Sequence, residues 1–157
     1  MRRFRNTRTV LAITAVICLF PLSSAWAAQV DDETAEPALG APEWLAWCMR
    51  DAGSSLGDAV CYGKHRAGLE DVHATLVFQI ANRLSGVGPE GSDYVKAGAS
   101  LMAAEEHWRA FIRDDCDVVS DVFGQGTALG MAGETCTIAH YETRIAALRA
   151  LKANYLD

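Results

Sequence analysis

The stretch EEHWRAFIRDDCD, residues 105–117, sets a Trp, a Phe and a Cys among charged side chains. Apolar residues around it recur at helical spacing and predict one buried stripe along a long helix. The members of that stripe are Leu101, Ala104, Trp108, Phe111, Cys116, Val119 and Phe123. The acidic side chains of the stretch are then expected to point mostly to solvent: Glu105, Glu106, Asp114, Asp115 and Asp117. Cys116, near the far end of the stripe, is expected to form a disulfide.

Two further long helices flank this one. The first is predicted from about Asp58 to the Ser-, Gly- and Pro-containing turn 85–89. Its apolar face consists of Leu69, Val72, Leu76, Ile80 and Leu84. Ser92 or Asp93 can cap the middle helix, and the glycines of 124–126 end it. The last helix is predicted within 134–156, with an apolar face of Ile138, Tyr141, Ile145, Leu148 and Leu151.

A short helix is expected before the three long ones. Pro42 suits the first turn of a helix, and the residues after it offer an apolar face: Trp44, Leu45, Trp47 and Cys48. No segment alternates with period two for long, so no strand is predicted. The expected fold is an all-α bundle of three longer helices plus one short N-terminal helix, a single domain over 42–157. Residues 28–41, acidic and rich in Ala and Pro, are expected to form a flexible leader.

The first 27 residues have the layout of a signal peptide. Four arginines precede an apolar run of about a dozen residues, which is short for a membrane span. Small residues then stand three and one positions before a cut after Ala27. Cys18 follows Ile17 rather than the small residue of a lipoprotein signal, so it leaves with the signal. The chain is therefore expected to be periplasmic or secreted, with membrane contact only through the signal peptide; an uncleaved anchor is the alternative.

The charge of the mature chain restricts its partners. Removal of the signal takes four arginines and no acids, which leaves 10 basic against 20 acidic residues and a formal net charge of −10. Such a surface argues against binding to nucleic acid or to an anionic membrane and favours, weakly, a cationic partner.

Four cysteines remain after cleavage: Cys48, Cys61, Cys116 and Cys136. In an oxidising compartment an even number predicts two disulfides, for which three connectivities are possible. The sequence-local pairs, Cys48 with Cys61 and Cys116 with Cys136, are favoured. The chain has no C-x-x-C or H-x-x-x-H pair, so neither a metal site nor a cofactor is expected.

Several motifs suggest catalysis without the context that it requires. GSSLG (53–57) matches a nucleophile elbow, but that turn connects a strand to a helix. The four histidines lack metal-pair spacing and are interpreted as surface or boundary residues: His65, His73, His107 and His140. Paired acids such as Glu105 and Glu106 could serve a glycosidase, yet helix-spaced acids are more often a solvated face. No enzymatic activity is expected.

The cysteine frame resembles the LprI-like lysozyme inhibitor family of small exported bacterial proteins. The similar pattern is Trp108 followed eight residues later by Cys116, a Gly-rich loop at 124–133, then Cys136 and an ending with Arg144 and Leu148. The first half resembles the two-cysteine start of the family, with Asp71 and Phe78 after the second cysteine. The resemblance covers roughly 48–151.

Some positions depart from the family pattern. Ala74 and Thr75 replace the usual Leu-Asn, Ile112 stands where an Arg is usual, and Tyr141 occupies the Thr position. The resemblance implies a helical, disulfide-bonded exported domain that binds and inhibits lysozyme or a related peptidoglycan hydrolase. An acidic inhibitor would be steered toward a cationic lysozyme.

The loop is the candidate inhibitory element, since Gly-rich backbone fixed by a disulfide can enter a cleft at little ordering cost. Its candidate binding residues are Gly124, Gln125, Gly126, Thr127 and Leu129. The competing interpretation of the loop is a plain helix connection.

Two other functions remain open at this stage. One is a periplasmic immunity protein against a secreted toxin. The stretch from Cys48 to Gly63, two cysteines separated by twelve residues and followed by Tyr-Gly, faintly resembles such proteins. The other is a structural or interaction protein of the cell envelope.

Overall fold

The computed structural model describes residues 35–123 and 127–157. For residues 123 and 127–129 it describes the backbone but not the side chains. It contains four helices: α1 (Trp44–Met49), α2 (Ser55–Leu84), α3 (Tyr94–Phe123) and α4 (Thr127–Tyr155). The described ranges include no strand, and the predicted all-α class with one short and three long helices is confirmed. No helix in these ranges is both long and apolar enough to cross a membrane. The predicted signal peptide lies outside the described residues.

Capping residues set the starts of α2 and α3. The Ser54 hydroxyl accepts a hydrogen bond from the backbone N–H of Gly57 at 3.1 Å, so α2 begins three residues before the predicted Asp58. The serine of the GSSLG motif is therefore a helix cap. At α3, the Asp93 carboxylate accepts from the backbone N–H of Lys96 at 2.9 Å.

Helix α4 begins earlier than predicted, at Thr127 rather than near residue 134. Gly130 and Gly133 suggested a loop, because glycine in a helix costs about 1 kcal/mol relative to Ala. A Cβ at Gly133 would lie 3.0 Å from the Ser120 hydroxyl, so a small residue here lets α4 approach α3 closely. Glycine at this position serves packing between helices and does not end one.

Both favoured disulfides are present. Cys48–Cys61 joins α1 to α2, and Cys116–Cys136 joins α3 to α4, each with 5.7 Å between the Cα atoms. In the chain-entropy model, loops of this length contribute about 3 kcal/mol each to stability.

The apolar core consists of two clusters. One contains Val77, Ile80, Leu84, Leu101 and Leu148, and the other contains Leu69, Ile138 and Ile145. All three long helices contribute, mostly through the apolar faces that periodicity predicted for α2 and α4.

A polar network connects the same three helices. The Glu105 carboxylate of α3 accepts from His73 Nε2 of α2 at 2.8 Å and from Arg144 Nε of α4 at 2.9 Å. Glu105 is only 1 % exposed and His73 only 2 %. The Trp108 ring stacks on His73 with 4.8 Å between centroids, and Tyr141 meets Trp108 edge-on at 5.0 Å.

The expectation that Glu105 points to solvent is therefore wrong. Helix α3 is rotated so that Glu105, Ile112 and Cys116 face inward, while Phe111 is 55 % exposed. Ala104 is exposed as well. The charge of Glu105 can be buried because an arginine and a histidine satisfy it, and the pairing fixes the inward face of the helix.

Two of the four histidines also differ from the prediction. His65 and His73 are buried at 1 % and 2 % exposure, whereas His107 is exposed and His140 half-buried. The ring of His65 lies parallel to that of Trp44, with 6.0 Å between the ring centroids. This contact helps to hold α1 against α2.

Burial lowers the pKa of His73, and the charges of Arg109 and Arg144 lower it further. Together they outweigh the Glu105 charge and hydrogen bond, which raise it. The neutral His73 ring can still donate a hydrogen bond from Nε2 to the Glu105 carboxylate. The positive charge that balances Glu105 is then that of Arg144.

The segment expected to be a flexible leader includes residues that pack on the domain. Gly40 is buried and has a φ of +83°. A Cβ at Gly68 of α2 would lie 2.6 Å from both the Gly40 nitrogen and Leu39 Cγ. Two glycines thus allow the chain before α1 to lie directly against α2.

We expect Glu105→Gln to lower the free energy of unfolding by about 2–3 kcal/mol, because it breaks the pair with Arg144, whose partial exposure moderates the cost. Urea denaturation of the oxidised 28–157 chain measures this change. The exposed neighbour supplies the control, since Glu106→Gln should change stability by less than about 0.5 kcal/mol. Equal losses in the two variants would contradict the network.

The lowered pKa of His73 predicts a loss of stability in acid. The unfolded histidine takes up a proton near its usual pKa of 6.5 and the folded one only at lower pH, so stability declines as pH falls below 6.5. His73→Gln removes this titration and keeps an N–H donor for Glu105. Urea denaturation from pH 7.5 to pH 5 measures the free energy of unfolding of wild type and variant. As the pH falls, the wild type should lose more stability than the variant. A difference between the two that does not depend on pH would be inconsistent with a buried neutral His73.

Two glycines of α2 form a matched pair for substitution. Gly68→Ala should destabilise the domain, because the new methyl group collides with Leu39 and Gly40, whereas a Cβ at Gly63 meets nothing within 4 Å. Gly63→Ala should stabilise by up to about 1 kcal/mol through helix propensity alone. Thermal unfolding of both variants tests the contact, and a stabilising Gly68→Ala would disprove it.

Candidate functional site

The C-terminal half of α3 presents an exposed apolar strip. Phe111, Val118 and Val122 are 55 %, 61 % and 79 % exposed, and their spacing of seven and four residues places them on one side of the helix. Single exposed apolar residues are common, but three on one side of a helix form a surface that a partner could cover.

Acidic side chains border this strip. Asp114, Asp115 and Asp121 are all exposed, and the strip with these three acids is called the α3 face below. They lie in the second half of the helix, and carboxylates near a helix C-terminus add to the negative potential of the helix dipole. The α3 face therefore combines apolar area with a negative field.

His140 of α4 lies against one edge of the α3 face. Its Nε2 is 2.8 Å from Asp115 Oδ2, and the Phe111 ring meets it edge-on with 5.4 Å between centroids. These contacts hold Phe111 and Asp115 in defined positions relative to α4.

The Cys116–Cys136 disulfide fixes the two helices at this end of the bundle. Ligand atoms of Cys116, Cys136 and His140 lie within 4.8 Å of one another. Because the two sulfurs are bonded to each other, they offer no thiolate to a metal ion.

The predicted binding loop lies beside the α3 face in sequence. Gly124, Gln125 and Gly126 are outside the described residues. Thr127 and Leu129 lie in the first turns of α4, where the structure describes their backbone. The connection between α3 and α4 is thus shorter than the predicted 124–133. A role for these five residues in binding stays a prediction.

The residues considered for catalysis face different parts of the described structure and do not share one site there. Both Glu105 oxygens are engaged inside the bundle, and Ser54 caps α2. The neighbouring acid Glu106 is exposed, on a different side of the helix from the buried Glu105.

Apart from the α3 face, the surface contains a groove of about 460 Å³ between α2, α3 and α4. Its charged lining consists of Glu70, Arg109, Arg113 and Asp117. Tyr141 also contributes to the lining, and its pKa is raised, first by burial and then by the charge of Glu70.

Glu70 is held in place by Arg66. Arg66 bridges Glu70 and Glu134, with 2.7 Å between its Nε and Glu134 Oε2. Burial alone would lower the pKa of Arg66, but the two carboxylates outweigh burial and raise it.

Sequence reasoning missed the ion pairs of Arg66 and the place of Arg109 at the groove, and it named Arg144 only as a match to the family pattern. Arg66 and Glu70 carried a signal, since opposite charges four apart on a helix commonly pair. The partner of Arg144 lies on another helix, and the groove beside Arg109 requires residues from three helices, so no local sequence signal predicted either.

One comparison with known proteins identifies the chain. A family model described as Lysozyme inhibitor LprI matches residues 48–148, nearly two thirds of the sequence. The match includes both disulfides and most of the three long helices. Among the curated proteins and the solved structures, no match to this chain is found. With its family's model matched over more than half its length, the chain belongs to the LprI lysozyme inhibitor family.

Proposed function

We propose that this protein binds and inhibits a lysozyme or a related peptidoglycan hydrolase, as a binding protein without catalytic activity of its own. The observation that carries the proposal is the family match over 48–148. The proposal includes export: the signal peptide is removed near Ala27, and the oxidised domain acts in the periplasm or outside the cell.

Charge supports a cationic target. The mature chain would have a net charge of −10, and several of its acids lie together on the second half of α3. Opposite charge accelerates the encounter between proteins and orients them, although it adds less to the final affinity.

The α3 face is the binding surface that we propose, together with the adjoining 124–126 connection. Its exposed Phe111, Val118 and Val122 supply apolar area, and the carboxylates around them supply complementarity to a basic rim on the hydrolase. The neighbouring Cys116–Cys136 bond and the His140 contacts stiffen the face, which reduces the entropy lost on binding.

The test is a titration of a c-type lysozyme with the purified, oxidised 28–157 chain, followed by muramidase activity. We expect saturable inhibition that weakens as salt increases, because exposed charges contribute to association. A large molar excess that leaves muramidase activity unchanged would exclude c-type lysozyme as the target.

Variants of the α3 face locate the binding surface. Val118→Arg introduces bulk and positive charge on the face and should weaken inhibition by at least about tenfold, the effect of roughly 1.4 kcal/mol. Val95→Arg is the control, because Val95 is exposed as well, at 82 % against 61 % for Val118, but lies in the first turn of the same helix. Circular dichroism confirms that both variants fold.

The connection is tested separately with Gln125→Trp. Inhibition that survives this change while Val118→Arg abolishes it would assign binding to the helix face alone. Inhibition unaffected by Val118→Arg would overturn the α3 face as the binding surface and leave the inhibitor function in place.

A further inference from the structure

The groove between α2, α3 and α4 is lined by equal numbers of basic and acidic side chains. Two guanidinium groups, Arg109 and Arg113, border it one helical turn apart on α3. Two carboxylates, Glu70 of α2 and Asp117 of α3, border it as well. The four side chains carry a formal charge of zero in a domain with a large excess of acids.

The arginines are little neutralised by the protein itself. Within the described residues, Arg109 has no carboxylate within 4.0 Å. Among the described residues, Arg113 lies within 4.0 Å of one carboxylate, that of its sequence neighbour Asp114 at 3.3 Å. Both side chains are about 70 % exposed, where an ion pair contributes little. Like charges one turn apart on a helix repel each other, so placing the two arginines side by side costs stability. Acids four residues away from them on α3 are Glu105, which is already bound to His73 and Arg144, and Asp117, which borders the same groove.

The opposite side of the groove is preorganised. Arg66 fixes Glu70 through one carboxylate oxygen and is itself fixed by Glu134. Ile112, buried in α3, and the half-buried Tyr141 also line the groove. A volume of about 460 Å³ is within the range of small-molecule sites.

From this lining we infer that the groove binds a small zwitterion, such as a short peptide with both termini free. Arg109 and Arg113 receive its carboxylate, and Glu70 and Asp117 receive its ammonium group. Guanidinium groups bind carboxylates through strong charge-assisted hydrogen bonds. The balanced charge of the lining selects a ligand that carries both groups over one that carries either alone. This binding is independent of the proposed inhibition, which uses the α3 face.

The test uses dialanine with free termini, N-acetyl-dialanine and dialanine amide as probes. Each is titrated into the ¹⁵N-labelled, oxidised 28–157 chain, and amide chemical shifts are followed by NMR. We expect saturable shifts with dialanine at amides lining the groove, such as those of Ser120, Gly133 and Thr137. Both blocked peptides should bind at least about tenfold more weakly, the loss expected for one charge-assisted contact.

Variants test the residues proposed to bind the two charged ends of the ligand. Arg109→Gln should weaken dialanine binding by at least about tenfold, and Asp117→Asn should also weaken it. Arg149→Gln, an exposed arginine of α4 outside the groove, should bind as the wild type does. Both Arg109 and Asp117 are exposed, so folding should persist, and far-UV circular dichroism verifies it.

Three results would overturn the inference: no saturable shift with dialanine, equal binding of the blocked peptides, or unchanged affinity of the Arg109→Gln variant. Lysozyme inhibition by Arg109→Gln, measured in parallel, should match that of the wild type. A failure of peptide binding is thereby distinguished from a failure of inhibition.

Discussion

The bundle depends on one buried carboxylate. Glu105 of α3 holds His73 of α2 and Arg144 of α4 at the same time, so a single side chain sets the relative position of three helices. An unpaired charge at 1 % exposure would be very costly, and α3 can adopt its observed rotation only because both partners are present. That rotation turns Phe111 outward and places Arg109 and Arg113 along the groove. Both surfaces with a proposed role follow from how Glu105 is satisfied.

Apolar packing, disulfides and close glycine contacts hold the parts of the bundle that the Glu105 network does not reach. Apolar clusters fill the bundle around Leu148 and around Ile145, and disulfides tie α1 to α2 and the end of α3 to the start of α4. Close approach is achieved with glycine: Gly133 brings α4 near α3, and Gly68 admits the segment before α1. Covalent bonds and small residues thus act at the ends and edges of the bundle, and the polar network acts in its interior.

Periodicity predicted the all-α class and the helix count, and cysteine order favoured, among three possible connectivities, the two disulfides that form. Each depends on residues close in sequence. The orientation of Glu105 was not predicted, since a pattern of apolar residues treats every acid as solvated. One clue was present: the step of five from Phe111 to Cys116 fits a helix poorly, whereas Trp108, Ile112 and Cys116 follow at steps of four. The start of α4 was missed because Gly130 and Gly133 were interpreted as breakers. The groove required three helices to meet and had no local signature, and the binding residues proposed at 124–126 lie outside what the structure describes.

The order of the disulfides has a consequence for how the chain matures. Cys48 bonds to Cys61 and Cys116 to Cys136, so each of these four cysteines pairs with its immediate neighbour among the cysteines of the described residues. In a chain translocated with its N-terminus first, the first pair emerges and can be oxidised before the second pair arrives. Joining cysteines in order of emergence then yields the native bonds directly. Oxidation in this order forms no crossed pairs, which an isomerase would otherwise have to correct.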